Sequence, residues 1–242
     1  MRRVHRTDID LATRRVLAAA QKKVIDKEAA RIEWNAYRRS ARSRPVLDAL
    51  KGMNGRRQRC VYCCDSRSAD VDHFTPIAID FSKTFAWRNF ILVCPECNRR
   101  KSARFPLDAQ GSPLVIDPTL EDPWEFLILD TKTGYIAARF LEDDFDPKGE
   151  CTIDVLPCVN HEAVIEGRRR VIKRYYDAVD SVLSSSSPER HVGKIVREIR
   201  EDEYGIGEWF ARWEGREDSL FSAFREQHPE AWKRFVRQAC RS

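Results

Sequence analysis

The strongest constraint in this 242-residue chain is a pair of cysteine knuckles. Cys60-x-x-Cys63 is followed, after 30 residues, by Cys94-x-x-Cys97. Two such knuckles present four thiolates at the spacing of a closed, tetrahedral structural zinc site. The gap between them exceeds that of a simple zinc ribbon, so a substantial element is inserted between the two halves. Of the eight cysteines, Cys64 adjoins the first knuckle, but the two-residue spacing selects Cys63 as the ligand. Leu17–Ala20 runs into Lys22 and Lys23 too soon to act as a signal-peptide core, so the paired spacings point to metal rather than to disulfides. The longest clear apolar run, Phe90–Cys94, falls far short of a membrane span, and the expectation is a cytoplasmic protein without a membrane partner.

The inserted segment carries Asp70-Val71-Asp72-His73-Phe74-Thr75-Pro76. Asp70, Asp72 and Phe74 alternate with Val71 and His73, a period of two that predicts a strand with successive side chains on opposite faces. Trp87-Arg88-Asn89 leads into a second, apolar strand, Phe90–Val93. The second knuckle then opens a helix through Cys97-Asn98-Arg99-Arg100-Lys101. The predicted order is strand, loop, strand, helix, closed by one zinc.

Within this frame, Asp72-His73, Asn89, Asn98 and the run Cys94-Pro95-Glu96-Cys97-Asn98-x-x-Lys101 resemble the zinc-bearing branch of the HNH endonucleases. The resemblance covers about residues 56–105. It implies an α+β fold with a ββα-metal core, and His73 as the general base for phosphodiester hydrolysis. Imidazole titrates near neutral pH and can take the attacking water's proton. Asp72 and Asn98 would supply hard oxygen ligands to one catalytic Mg²⁺ or Mn²⁺. Asn89 would brace the loop facing His73, and Asp70 would stand behind the metal ligands. Arg99, Arg100 and Lys101 are the expected DNA phosphate contacts. A looser resemblance, through Arg104–Asp108, Leu114–Pro118, Thr133-Gly134, Val155–Pro157 and Arg168–Arg174, extends to PtuB-type nucleases of Septu anti-phage systems. It implies an ATPase protein partner.

Charge divides the chain. Residues 1–60 hold 17 Lys and Arg against 6 Asp and Glu, whereas the remainder holds 26 against 32. A basic arm on an acidic body suits a polyanionic partner such as DNA, with Arg38, Arg39, Arg42 and Arg44 as contacts. The competing reading is that the arm packs on a partner or a second copy through Leu11, Leu17, Val24 and Ile25. Four regions are expected: a basic helical arm (1–55), the nuclease core (56–105), an acidic β-containing extension (106–160) and a helical C-terminal region (161–242). In detail, residues 9–41 read as one long helix and residues 125–129 and 135–140 as a hairpin. Residues 151–156 read as a strand, 162–183 as a helix, Ser184–Ser187 as a linker, and three short helices follow. Three functions compete: an HNH endonuclease in a defence complex, a stand-alone restriction or nicking enzyme, and a zinc module that only binds nucleic acid. If the first holds, the two metals separate by mutation: Cys63→Ser should misfold, and Asp72→Ala should be soluble, zinc-loaded and inactive.

Overall fold

The computed structural model describes residues 1–65, 67–185 and 188–240. The N-terminal arm is a helical hairpin, not one helix: α1 spans Leu11–Gln21 and α2 spans Lys27–Arg39. The break is a capping event. The Asp26 carboxylate accepts from the Ala29 amide at 2.8 Å and starts α2 afresh, while the Lys23 and Val24 amides close a tight turn onto Ala20 and Gln21. Because the break resets the helical phase, the expected apolar stripe does not form. Leu17 is buried, but Leu11, Ile25 and Ile32 are 63%, 78% and 60% exposed. Helix α3 (Arg44–Met53) follows, with Pro45 in its first turn and Val46 and Leu50 buried.

The predicted strand–strand–helix unit forms. Strands β1 (Asp70–His73) and β2 (Phe90–Val93) pair antiparallel, with Asp72 opposite Ile91 and His73 opposite Phe90. Helix α4 (Pro95–Lys101) closes the unit. All four residues of β2 are buried because the strand is covered on both sides. Phe90 and Leu92 join Leu17, Tyr37, Val46, Leu50 and Phe85 in a core under the N-terminal hairpin. Ile91 and Val93 belong to the main core, a continuous cluster that takes in the knuckle cysteines and reaches Phe235 and Ala239.

The acidic extension contains the hairpin of β3 (Leu127–Leu129) and β4 (Ile136–Ala138). Gly134 turns it with φ +76°, where a Cβ would lie 2.8 Å from the Ile165 carbonyl oxygen. Of residues 151–156, expected as a strand, the first five belong instead to helix α5 (Pro147–Val155) and Leu156 is its C-cap. The Asp146 carboxylate caps the Gly149 amide at 2.8 Å and Pro147 occupies the first turn. That start signal outweighs the β-branched Thr152, Ile153 and Val155. Helices α6 (Glu162–Leu183), α7 (Pro188–Glu201), α8 (Ile206–Arg212), α9 (Ser219–Gln227) and α10 (Pro229–Ala239) complete the chain. Helix α8 is an addition to the three expected there, masked in the sequence by Gly205 and Gly207 at its start; Ser186 and Ser187 of the expected linker lie outside the described residues. Among the described residues, no helix is long and apolar enough to cross a membrane.

Arg168 fastens α6 to the extension. It is 1% exposed and donates to the Gly134 and Val159 carbonyls at 2.6 and 2.7 Å and to Asn160 Oδ1 at 3.0 Å. Burial pulls its guanidinium down to about 10, which leaves it charged at neutral pH. Arg168→Met removes those donors from buried oxygens, each of which costs about 1–3 kcal/mol unpaired. Urea unfolding should show a loss of about 3 kcal/mol or more; an unchanged midpoint would refute this account of the joint.

Candidate nuclease site

The four knuckle thiols converge. The sulfur atoms of Cys60, Cys63, Cys94 and Cys97 all lie within 4.8 Å of one another and all four residues are buried. Cys94 also caps α4, accepting from the Cys97 amide at 3.4 Å, so the knuckle and the helix start are one structure. Hydrogen bonds from Cys60, Cys94 and Cys97 drive the Cys63 thiol far down toward thiolate, whereas burial pushes Cys60 up. A closed set of four sulfur donors is the chemistry of a structural zinc. Cys64 points away: it adopts φ +63° and its thiol meets the Val61 carbonyl at 3.8 Å. Cys158, which spacing could not single out, is a further buried thiol in the same core, and Cys97 draws it down toward thiolate.

Strand alternation sorts the site residues onto two faces. Val71 and His73 face the N-terminal hairpin, where the Trp34 ring meets His73 edge-on with centroids 4.5 Å apart. Phe90 flanks the imidazole at 5.4 Å. His73 is 7% exposed, and its Nε2 lies 2.8 Å from the Thr84 carbonyl oxygen. A carbonyl can only accept, so the proton belongs on Nε2 and Nδ1 carries the lone pair. Burial, helped by the Lys101 charge, lowers the imidazole to about 4, so it is neutral and able to accept a proton at pH 7.

Asn89 holds the loop that carries Thr84. Its Oδ1 accepts from the Thr75 amide at 2.7 Å, and its Nδ2 donates to the Thr75 and Lys83 carbonyls at 3.0 and 3.2 Å.

The other face carries the acids. Asp72 is 5% exposed, and its carboxylate contacts Lys101 Nζ at 3.0 Å and accepts from the Tyr62 hydroxyl at 3.3 Å. Burial raises Asp72, and Lys101 opposes that rise. Lys101, expected at the phosphates, is turned fully inward at 0% exposure and also donates to the His73 carbonyl at 2.9 Å. Arg99 and Arg100 remain exposed, both paired with Glu96, Arg100 at 2.8 Å. Asn98 is half-buried and donates through Nδ2 to Asp70 Oδ2 at 3.0 Å. That bond fixes the amide's orientation and leaves Asn98 Oδ1 free to meet a cation. Trp34, with no local signal in its sequence neighbourhood, reaches the site only because α2 folds back over β2.

The zinc reading has a direct test. Structural zinc in small domains contributes about 10–16 kcal/mol, so Cys63→Ser should lose the metal and the soluble fold together. Cys64→Ser should keep both. Elemental analysis of the purified chains decides it, and a wild type without zinc would overturn the assignment.

Comparison with known proteins agrees with this geometry. Residues 59–104 match the family model of the HNH endonuclease. The chain is similar to the Septu protein PtuB of Bacillus thuringiensis, 25% identical over 130 residues, which are 52% of this chain and 46% of that protein. It is also similar to the Septu protein PtuA of Bacillus mycoides (strain KBAB4), 27% identical over 125 residues, or 49% of this chain and 17% of that protein. The chain thus spans less than half of either relative it matches. A β1–β2–α4 unit holding four converging cysteines and the family model coincide: residues 59–104 match the HNH endonuclease family and have the ββα-metal arrangement, within a chain similar to Septu proteins.

Proposed function

We propose that this chain is a divalent-metal-dependent endonuclease that hydrolyses DNA phosphodiester bonds, serving as the nuclease of an anti-phage defence complex. The observation that carries the reading is His73: a neutral imidazole, proton fixed on Nε2 by the Thr84 carbonyl, set inside the zinc-closed HNH unit. A module that only bound nucleic acid would need no such base. In the proposed reaction, His73 Nδ1 takes a proton from water as the oxygen adds to phosphorus, the P–O3′ bond breaks opposite it, and O3′ is protonated. The products are a 5′-phosphate and a 3′-hydroxyl.

Asp72 and Asn98 Oδ1 are the proposed donors for Mg²⁺ or Mn²⁺, both hard oxygens, as such ions require. When bound, the ion supplies charge stabilisation at the phosphate and the leaving oxygen. The donor types fit such an ion, a carboxylate and an amide oxygen, and binding it would draw Asp72 away from the Lys101 ammonium that it now holds. Arg99 and Arg100, exposed at the end of α4, are the proposed phosphate contacts of that helix. The similarity to PtuB and PtuA supports a protein partner, which we read as an ATPase.

Two variants test the reading on supercoiled plasmid with Mg²⁺ or Mn²⁺. His73→Ala should lower cleavage by about 10²- to 10⁴-fold with zinc content unchanged; equal nicking by variant and wild type would sink the assignment. Asp72→Ala is less clean than the sequence suggests, because it strands the fully buried Lys101 ammonium. Breaking a buried pair from one side costs about 3–5 kcal/mol. Thermal melting should therefore fall sharply in Asp72→Ala, and a melt equal to wild type would show that the pair does not form in solution.

A further inference from the structure

We infer that the N-terminal helical hairpin completes the active site, with Arg38 and Arg39 clamping the phosphodiester that the HNH residues attack. The inference rests on the nuclease reading above. A cleft of about 380 Å³ opens between α2, α3, β1 and α4. One wall carries Trp34, Arg38 and Arg39; the opposite wall carries Asp70 and the Asn98 that it orients. Trp34 is the same residue whose ring packs on His73. Trp34, which packs on the proposed base, a proposed cation donor and two guanidinium groups therefore border one opening, within the size range of small-ligand pockets, about 300–1,000 Å³.

The two arginines are set apart from the other basic residues of the arm by position: among the described residues, they alone of these line the cleft. Arg14 pairs with Asp8 at 2.8 Å and Lys23 with Glu33 at 3.5 Å. Arg38 and Arg39 are exposed and make no ion pair among the described residues. Their place in the last turn of α2 suits the helix dipole, but the dipole does not require that they overhang Asn98. Arg15, on α1, and Arg31, earlier on α2, are equally basic, exposed and lie off this cleft. The cleft walls bring two guanidinium charges against the single carboxylate of Asp70, a surplus that favours one phosphodiester anion. The planar fork of guanidinium matches two phosphate oxygens at once and stabilises the charge they gain during attack.

The experiment compares two double variants that remove equal charge from the same arm. Arg38→Gln with Arg39→Gln should slow single-turnover cleavage at saturating duplex DNA by on the order of 10²-fold, with zinc content and melting unchanged. Arg15→Gln with Arg31→Gln should leave the saturated rate at wild type. Oligonucleotide binding, measured on each pair in a His73→Ala background across salt, gives a readout independent of turnover. The Arg38/Arg39 pair should flatten the log–log salt dependence by about 0.9 for the one phosphate it clamps. A saturated rate within about two-fold of wild type in the Arg38/Arg39 variant, or an equal fall in both pairs, overturns the clamp. If the wild type itself cleaves nothing, the nuclease reading fails, and binding still decides the clamp: a slope unchanged by the Arg38/Arg39 substitutions overturns it.

Discussion

The four converging thiols of Cys60, Cys63, Cys94 and Cys97 are the constraint on which the nuclease unit depends. Strands β1 and β2 have four residues each and α4 has seven. A lone two-stranded hairpin is marginal in water, and an isolated helix needs about 12–15 residues to be more than transient. None of these elements could hold a catalytic geometry unaided. The thiol cluster joins the loop before β1 to the first turn of α4, and Cys94 serves both as a member of the cluster and as helix cap. The β1–β2 register, and with it the position of every site residue, follows from that closure.

Given the closure, strand alternation divides the chemistry. His73 goes to the face beneath the N-terminal hairpin, where packing against Trp34 and Phe90 buries most of the imidazole and keeps it neutral. Asp72 goes to the opposite face, into an interior where an unpaired carboxylate would be expensive, and Lys101 neutralises it. Asp70, two residues earlier on the same face, stays at the rim and directs Asn98. His73 and Asp72 thus sit on neighbouring residues, both buried, one against aromatic rings and the other against an ammonium, surroundings that a one-residue slip in register would exchange.

Much of this is legible in the chain. The knuckle spacing announces the metal cluster, and the alternation from Asp70 to Phe74 announces β1 and its two faces. The Pro95 start and the apolar run Phe90–Val93 announce α4 and β2. Sequence and structure part where a short polar side chain overrules a longer pattern. Asp26 cuts the long N-terminal helix in two, and Asp146 with Pro147 turns an apparent strand into α5. Capping of this kind depends on one hydrogen bond at a boundary, and a window of apolar periodicity averages it away.

The sequence by itself determined the four-cysteine set and the ββα order, and it supplied His73 as the candidate base, because each rests on residue type and on separations of a few positions. Tertiary structure decided the surroundings. It folded α2 across β2 so that Trp34, 39 residues from His73 in sequence, covers the imidazole. It drew Lys101 inward onto Asp72 and left Arg38 and Arg39 facing Asn98 across a cleft. Burial and charge pairing are properties of the packed interior, set by which distant segments meet. No local pattern around Lys101 distinguishes an ammonium that will contact phosphate from one that will neutralise a buried carboxylate.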